Sequence, residues 1–276
     1  MTDLLPPAAL ASPAPLSSLA MPLRFHPARE ALFNELHTRP FPVLQTPCNL
    51  AHLVLLREGA AGDAEHRHLQ ALCARYMVVP PTPESSCYYQ DFGGFELRWE
   101  RHTEFSTYTL VSKQVQGAPF SQDALALLPE HWLQQLPGQL LSCNHLEIIA
   151  APETQPGPDE MRMHFEGQRL ISSSVSDGQA RLWSAYRIHR DGSGRLLIHN
   201  RGLNPCQSGR LVRTLLEMET YRMMALLSFP VARATLPKLS SHEDRLVKLA
   251  TEMAETNFNT VTAQAVTATK AAAKKR

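Results

Sequence analysis

Two acidic residues flank a histidine in the most densely charged stretch of the chain. Residues 95–112 read FELRWERHTEFSTYTLVS, in which Glu100, His102 and Glu104 occupy alternate positions. Alternate side chains of an extended strand share one face at a spacing of roughly 7 Å, so the three could converge on one ion. Two carboxylates and an imidazole could bind a divalent metal or share a proton. The same pattern is also typical of a solvated sheet face whose charges pair across strands.

A second polar segment, residues 35–42 (ELHTRPFP), ends a short helical stretch and turns into a Pro-bounded loop. This arrangement places His37 and Arg39 near each other at a helix end. Arg39 could hold an anion or a carboxylate as a bidentate donor. His37 could instead cap the last carbonyl groups of the helix, and the residue types allow both interpretations.

The third segment, residues 209–222 (GRLVRTLLEMETYR), is a predicted helix with charges on its apolar side. Arg213 and Glu217 are four residues apart, and Glu219 and Arg222 are three apart, which are spacings at which helical side chains pair. Glu219 points toward the core, so it needs a partner or a proton there. It is either half of a buried ion pair that fixes packing or a functional carboxylate.

These three segments carry more ionisable side chains than packing requires, and we expect folding to gather them around one cavity. The charged run at residues 65–68 (EHRH) is set aside, because residues two apart on a helix diverge. No P-loop, G-x-G-x-x-G, G-x-S-x-G or H-E-x-x-H motif is present. The candidate functional residues are Glu35, His37, Arg39, Glu100, Arg101, His102, Glu104, Tyr108, Arg210, Glu217, Glu219, Tyr221 and Arg222.

The elements that must position these residues indicate an α+β fold, a largely antiparallel sheet with packed helices and one long helix near the C-terminal end. Strands are predicted at 49–56, 95–112 with an internal bulge or kink, 140–150, 170–176, 180–189 and 195–200. Helices are predicted at 64–76, 122–136 with an interruption at Pro129, 205–227 and 242–256. Asp177-Gly178 and Asp191-Gly192 are typical of tight hairpin turns.

Composition divides the chain into four parts. Residues 1–23 form a Pro/Ala/Ser leader expected to be disordered, and 24–239 an α+β domain. Residues 240–257 form an amphipathic helix that begins a stalk, capped by Ser241, and 258–276 a flexible basic Ala/Thr/Lys tail. Leu246, Leu249 and Met253 follow the spacing of a coiled-coil seam, which predicts a homo-oligomer.

The overall composition limits the possible partners and location. A net charge of +1 gives no global field to attract nucleic acid or an anionic membrane. Five cysteines, widely spaced and without a C-x-x-C pair, fit free thiols in a reducing cytoplasm. The N-terminal residues lack a basic signal-peptide region, and the most apolar stretch, 211–231, contains four charges that disfavour a membrane span.

Four long strings are similar to the motifs of a known family. They are ELHTRPFP (35–42), WERHTEFSTY (99–108), LPGQLL (136–141) and GRLVRTLLEMETYRMMALLSFPVAR (209–233), in family order. On them the chain resembles the bacterial domain of unknown function numbered 3422. The resemblance implies an uncharacterised, membrane-anchored protein with an α+β front part, a long helical region and a hydrophobic anchor near the C terminus.

Two departures from that pattern are expected. After about Glu255 the Ala/Thr/Lys tail replaces the helical region and the anchor, so membrane attachment is in question. Ala185 precedes an aromatic residue where the family pattern has an Asp. If that Asp were catalytic, Ala185 would disable the reaction in this chain.

The leading functional hypothesis is a non-catalytic cytoplasmic domain that senses a ligand or binds a partner, placed by the resemblance at the inner-membrane surface. The alternative is a metal-assisted hydrolase with a divalent metal as cofactor. In it, His102 and His37 act as ligands or base, Glu100, Glu104 and Glu219 as ligands or acid, and Arg39 or Arg210 as an anion clamp. A third hypothesis is weak nucleic-acid binding through Lys270, Lys274, Lys275 and Arg276.

Overall fold

A computed structural model confirms the α+β class and shows one eight-stranded, mostly antiparallel sheet. The structure describes residues 26–27, 29, 42–57, 62–154 and 156–273. The predicted leader, residues 274–276 and the candidates Glu35, His37 and Arg39 lie outside the described residues. The chain divides into two units, residues 1–41 and 42–276, and the fold that follows is that of the second.

The sheet has the strand order β2-β3-β4-β1-β5-β8-β7-β6. Neighbouring strands are antiparallel except for β5 and β8, which are parallel. The strands are β1 Cys48–Leu56, β2 Cys87–Asp91, β3 Glu96–Arg101, β4 Phe105–Ser112, β5 Gln139–Ala150, β6 Ile171–Val175, β7 Ala180–Ser184 and β8 Gly194–Asn200.

Five α-helices accompany the sheet in the described part of the second unit. They are α1 Gly62–Tyr76, α2 Glu130–Gln134, α3 Pro158–Met163, α4 Pro205–Leu226 and α5 Phe229–Ala273, and a 3-10 turn spans Ala124–Leu127. The predicted helix at 122–136 is therefore two short pieces separated by Pro129, which lacks the N–H that a continuous helix needs. Strand β2 and helix α3 were not predicted.

Each face of the sheet packs on different helices. On one face, Trp99 and Tyr108 are fully buried among residues of α1, the 3-10 turn and α2. On the other, Leu146 and Ile198 pack against Val212 of α4. Because side chains alternate along a strand, a residue's position in the ladder decides which helical layer it meets.

The predicted long strand at 95–112 is wrong, because the chain reverses at residues 102–104. The N–H of His102 donates to the carbonyl of Phe105 at 2.8 Å, and β3 and β4 pair as a hairpin. His102 and Glu104 therefore lie in a turn and do not continue the row of Glu100. Tyr108 is the direct partner of Trp99, so this candidate lies on the face opposite Glu100.

Helix α4 begins as its sequence predicts. Asn204 accepts from the Gln207 N–H at 2.9 Å, and the Gln207 side chain accepts from the Asn204 N–H at 2.9 Å, which forms a capping box. Pro205 occupies the first turn, where its missing N–H costs no helical hydrogen bond.

Helix α5 extends beyond both predicted ends of the last helix. It starts at Phe229, and Ser241, which was predicted to cap the last helix, lies inside it. It continues to Ala273, so the segment predicted as a flexible tail is helical over its described part. Every described side chain of α5 is exposed.

The turns between the last strands follow the predicted chemistry in part. Asp177 and Gly178 have φ of 55° and 83° and join β6 to β7 as a hairpin. Gly192, with φ of 83°, lies in the turn before β8, but β7 ends at Ser184 and not at the predicted position 189.

Candidate functional site

Two of the predicted candidates, Glu219 and Arg222, line a pocket between the C-terminal half of α4 and the strands β5, β7 and β8. Its volume is about 410 Å³, a size typical of small-molecule sites. The polar lining includes Ser142, Asn144, Ser184, Arg187, Glu219 and Arg222. The apolar lining includes Leu140, Leu141, Tyr186, Ile188, Leu196 and Met223. We call this cavity the α4 pocket.

Glu219 and Arg222 pair with each other, as their spacing predicts. Arg222 Nη2 donates to Glu219 Oε2 at 2.6 Å, and Nε donates to Oε1 at 3.3 Å. The hydrogen bond to Glu219 raises the pKa of Arg222, so its guanidinium remains protonated. Glu219 is buried whereas the Arg222 side chain is 46% exposed. The pair therefore presents guanidinium N–H groups, more than carboxylate oxygens, to a ligand.

Tyr186 lies at the edge of the α4 pocket in a strained conformation. Its φ is 49°, in the left-handed region that is uncommon for a bulky residue. Burial raises the pKa of its hydroxyl; the nearby Glu219 raises it further, whereas Arg222 opposes the shift. The phenol is therefore a neutral hydrogen-bonding group near neutral pH. Backbone strain of this kind concentrates at functional sites.

A row of buried polar residues crosses the sheet beneath α4. Arg98, Thr109, His52 and Asn144 are successive cross-strand neighbours on β3, β4, β1 and β5. Gly194 on β8 is the next neighbour, and a Cβ at that position would clash with the amide oxygen of Asn144. The glycine therefore makes room for the amide at the end of the row, where Asn144 and Gly194 line the α4 pocket.

His52 connects this row to the helix above it. Its Nδ1 lies 2.8 Å from Thr109 Oγ1 and its Nε2 lies 3.2 Å from Thr220 Oγ1. Thr220 donates its only hydroxyl proton to the Leu216 carbonyl at 2.8 Å. Nε2 of His52 must therefore carry the proton that Thr220 accepts, and Nδ1 accepts from Thr109.

The imidazole of His52 is neutral at physiological pH. Burial lowers its pKa from 6.5 to about 4; Glu100 opposes that shift and His102 adds to it. Glu100 and His102 are thus close enough to act electrostatically on His52, although they do not share a strand. The structure brings these two candidates to the α4 side of the sheet.

The hairpin turn also contacts α4. The ring of His102 stacks on Phe105 with 4.2 Å between ring centres, and Phe105 meets Tyr221 edge to face at 5.9 Å. Glu100 receives a hydrogen bond of 2.8 Å from Arg98. The candidates Glu100, His102 and Tyr221 therefore form one polar and aromatic group at the end of β3, beneath the same helix that carries Glu219.

The remaining described candidates lie elsewhere. Arg101 is on the opposite face, where its guanidinium lies over Trp99 and Nη2 donates to the Ser85 carbonyl at 2.7 Å. Glu104 is exposed in the turn, and Arg210 lines a separate cleft near the start of α4. Glu217 is exposed and accepts from Arg213 at 2.6 Å.

Metal ligation finds no support in the described part of the chain. No group of three or more His, Cys, Asp or Glu side chains within it is arranged to hold a metal ion. The turn at residues 102–104 accounts for this result at the predicted triad, since it takes His102 and Glu104 out of line with Glu100.

Glu65 is a buried ionisable residue that the sequence analysis set aside. It is fully buried on α1, where Oε1 accepts from Ser106 Oγ at 2.8 Å and lies 3.4 Å from Arg57 Nε. Its position could have been recognised, because Glu65 lies four and seven residues before the buried Leu69 and Leu72. Arg57 also donates to the carbonyls of the β3–β4 turn, so this group joins α1 to the hairpin.

A second group of ionisable residues that was not predicted from the sequence lies on and beside β5 and β8. Arg195 Nη2 donates to Asp191 Oδ2 at 2.8 Å, and its guanidinium lies over the ring of Phe120. Burial raises the pKa of Glu147, while the Phe120 N–H, 2.9 Å away, favours the charged carboxylate. Ionisable residues inside the predicted strand at 140–150 were the sequence signal that could have indicated this group.

Comparison with known proteins gives a family and nothing more specific. The model of the family described as "Protein of unknown function (DUF3422)" matches residues 24–275. The match continues through the C-terminal Ala/Thr/Lys segment, which was expected to depart from the family pattern. No curated protein and no solved structure matches the chain. Within the described residues, no helix combines the length and the apolar character that crossing a bilayer requires.

Proposed function

Since the chain belongs to the DUF3422 family, whose function is unknown, we propose its role from its geometry: it is a non-catalytic domain that binds a small amphiphilic anion in the α4 pocket. The observation that carries this proposal is the combination of guanidinium groups and an apolar wall in one cavity of about 410 Å³.

Two arginines supply the anion-binding side. Arg222 uses Nε and Nη2 for Glu219, which leaves donors of a half-exposed guanidinium available. Arg187 is exposed on the same pocket and makes no ion pair with any residue that the structure describes. A carboxylate or another anionic head group fits between such donors.

The apolar wall supplies the other side. Ile188 and Leu140 are 72% and 58% exposed, which leaves their hydrocarbon surface in contact with water. Leu141 and Met223 continue this surface into the cavity. Exposed apolar surface beside a polar cluster marks interaction sites, because covering it releases the cost of hydrating it. The ligand that matches both sides has a charged head and a short hydrocarbon body.

A series of straight-chain carboxylates tests this proposal by isothermal titration calorimetry. Octanoate is expected to bind more tightly than butanoate by up to roughly two hundredfold, because each of its four additional methylenes contributes about 0.8 kcal/mol when buried. The variant Arg187→Gln is expected to weaken octanoate binding at least tenfold, since it removes a donor for the head group.

The matched control is Arg169→Gln, which removes the same charge from a position outside the α4 pocket. It should leave octanoate affinity unchanged. Absence of octanoate binding at millimolar concentration, or equal loss in the two variants, would contradict a site at this pocket.

We further propose that two copies of the chain associate in parallel along α5. Leu239, Leu246, Leu249 and Met253 occupy seam positions of a heptad pattern and are 47% to 66% exposed. A long helix exposed on all sides lacks the packing that normally stabilises helices. In a parallel pair Lys238 faces Glu243 of the second copy, which makes the charges beside the seam complementary.

Sedimentation velocity on the full chain tests the proposed dimer. The double variant Leu246→Asp/Leu249→Asp is expected to give monomers, because it places charges inside the seam. Val247→Asp, which adds a charge on the same helix outside the seam, should remain dimeric. A monomeric wild-type chain refutes the association. If Lys238→Glu weakens the dimer and the additional change Glu243→Lys does not restore it, the parallel orientation is refuted.

We infer a cytoplasmic location from the thiols. All five cysteines are free, including the buried Cys48 and Cys73. The chain therefore lacks the disulfide bonds that stabilise many proteins of oxidising compartments. Cell fractionation tests this inference, and recovery of the protein outside the cytoplasmic and inner-membrane fractions would contradict it.

A further inference from the structure

We propose that a second pocket, on the sheet face opposite α4, binds the phosphate group of a phosphomonoester. This pocket has a volume of about 540 Å³ and is lined by Arg162, Arg169, Arg181, Ser172, Leu170 and Trp183, with two prolines at its edge. Trp183 is the cross-strand partner of Leu197, which packs with α3, whereas its neighbour Leu182 packs on the α4 side. The two pockets therefore lie on different faces and share no residues.

The arginines of this pocket carry more positive charge than their surroundings neutralise. Arg181 donates through Nε to Ser172 Oγ at 2.6 Å, which orients the guanidinium but does not neutralise it. Arg169 forms no ion pair with any described residue. Arg162 has one carboxylate partner, Asp159, at 3.4 Å, and the Asp159 side chain is almost fully exposed.

Hydrogen bonds and ring contacts hold two of the guanidinium groups in place. Arg162 Nη2 also donates to the Gly167 carbonyl at 3.2 Å, across the turn that follows α3. The Arg181 guanidinium carbon lies 5.0 Å from the centre of the Trp183 ring. A positioned guanidinium binds an anion at a lower entropic cost than a freely rotating one.

The buried neighbour His199 responds to positive charge around the pocket. His199 is buried and is the cross-strand partner of Arg181. Burial lowers its pKa, and Arg201, His164 and Arg181 each lower it further. No carboxylate among the described residues contributes an opposing effect on this group. The region is therefore positive beyond the three arginines of the pocket.

A phosphate group fits this arrangement better than a single carboxylate does. Guanidinium groups bind phosphate oxygens through two parallel hydrogen bonds, and a phosphomonoester carries close to two negative charges at neutral pH. Three arginines with a single exposed carboxylate partner leave an excess of two positive charges, which matches the charge of a phosphomonoester. Leu170 and the prolines leave an apolar side for the carbon part of the ester.

Glycerol 3-phosphate is the soluble probe, and isothermal titration calorimetry is the measurement. Saturable binding is expected with the wild-type chain, and none with glycerol at the same concentration. Arg169→Gln is expected to weaken binding at least tenfold, while Arg169→Lys recovers part of the loss because it restores the charge without the fork. Arg169 is exposed, so thermal unfolding should show an unchanged Tm for both variants.

The matched control is Arg187→Gln, which removes one positive charge from the α4 pocket. It should leave glycerol 3-phosphate affinity within twofold of the wild-type value. No saturable binding by the wild-type chain, or equal weakening by Arg187→Gln and Arg169→Gln, overturns the proposal. Because octanoate and Arg187 test the α4 pocket separately, the two sites can fail independently.

Vesicles identify the source of the phosphomonoester. Phosphatidylcholine vesicles that contain phosphatidic acid are compared with vesicles that contain phosphatidylserine at the same total charge. Arg169-dependent binding confined to phosphatidic acid supports a lipid head group, whereas binding to glycerol 3-phosphate alone supports a soluble ester. Equal binding to both anionic vesicles, unaffected by Arg169→Gln and without glycerol 3-phosphate binding, overturns the site.

Discussion

The variant Gly138→Ala is expected to lower the free energy of unfolding by about 3 kcal/mol or more. Gly138 has φ of 111°, a conformation that residues with a side chain rarely adopt. A Cβ there would lie 2.5 Å from the carbonyl oxygen of Leu56, which belongs to the backbone of β1. Gln139, the next residue, pairs with Leu56, so the clash cannot be relieved without disturbing the first rung of the β1–β5 ladder.

Urea denaturation monitored by tryptophan fluorescence measures this effect. Gly94→Ala is the matched control, because a Cβ at Gly94 meets no atom within 4 Å and its φ lies outside the left-handed region. The control is expected to change the free energy of unfolding by less than about 1 kcal/mol. A Gly138→Ala loss as small as that of the control would show that the turn before β5 can relax.

This effect explains one of the four family-like strings in physical terms. LPGQLL contains Gly138, whose conformation and close approach to β1 require glycine. WERHTEFSTY contains Trp99 and Tyr108, which are core residues on the face opposite α4. Part of the resemblance therefore follows from what folding requires.

Acidification from pH 6.5 to pH 4 is expected to reduce the stability of the fold by roughly 3 kcal/mol through His52 alone. The pKa of His52 falls from 6.5 to about 4 on folding, chiefly because of burial. Between these values the unfolded chain binds a proton that the folded chain does not, so acid favours unfolding. The contribution of His52 is fully present above pH 6.5 and is lost as the pH falls toward 4.

Other buried histidines act in the same direction. Burial lowers the pKa of His68 to about 4 and lowers those of His145 and His199 as well. The whole chain should therefore lose stability more steeply than one group explains. Its most acid-sensitive range is expected to lie between pH 4 and pH 6.5, below physiological pH.

Urea denaturation at a series of pH values measures the contribution of His52. His52→Gln is expected to flatten the profile between pH 6.5 and pH 4, and also to lower stability at pH 7 because its bonds to Thr109 and Thr220 change. His131→Gln, at an exposed position on α2, should keep the wild-type slope. A His52→Gln profile parallel to that of the wild-type chain would refute this account.

Local signals were sufficient to predict the elements that local chemistry fixes. Helix α4 was predicted at 205–227 and spans Pro205–Leu226, because its cap and its first-turn proline act within a few residues of the chain. The β6–β7 turn was predicted because Asp177 and Gly178 adopt positive φ, which restricts the residue types. In contrast, none of residues 102–104 has positive φ, so the β3–β4 turn has no glycine or asparagine signature.

The site was predictable only where one helix carries it. The pairing of Glu219 with Arg222 follows from helical spacing, whereas the opposite wall depends on β8 pairing in parallel with β5. That pairing is a long-range choice that no local pattern encodes. His52 was missed because a single histidine in the apolar strand CNLAHLVLL is indistinguishable from core until Thr109 and Thr220 are placed beside it.

The central position of β1 has a consequence for how the chain is made. Of the strands that the structure describes, β1 is the first to leave the ribosome, yet its two neighbours, β4 and β5, follow much later. About 90 residues separate the end of β1 from the end of β5, so at roughly 5–20 residues per second the nascent strand waits on the order of ten seconds. Both of its hydrogen-bonding edges are open until β4 is made, and the edge that pairs with β5 stays open for the whole of that time. This chain should therefore depend on a chaperone that shields CNLAHLVLL until translation of β5 is complete.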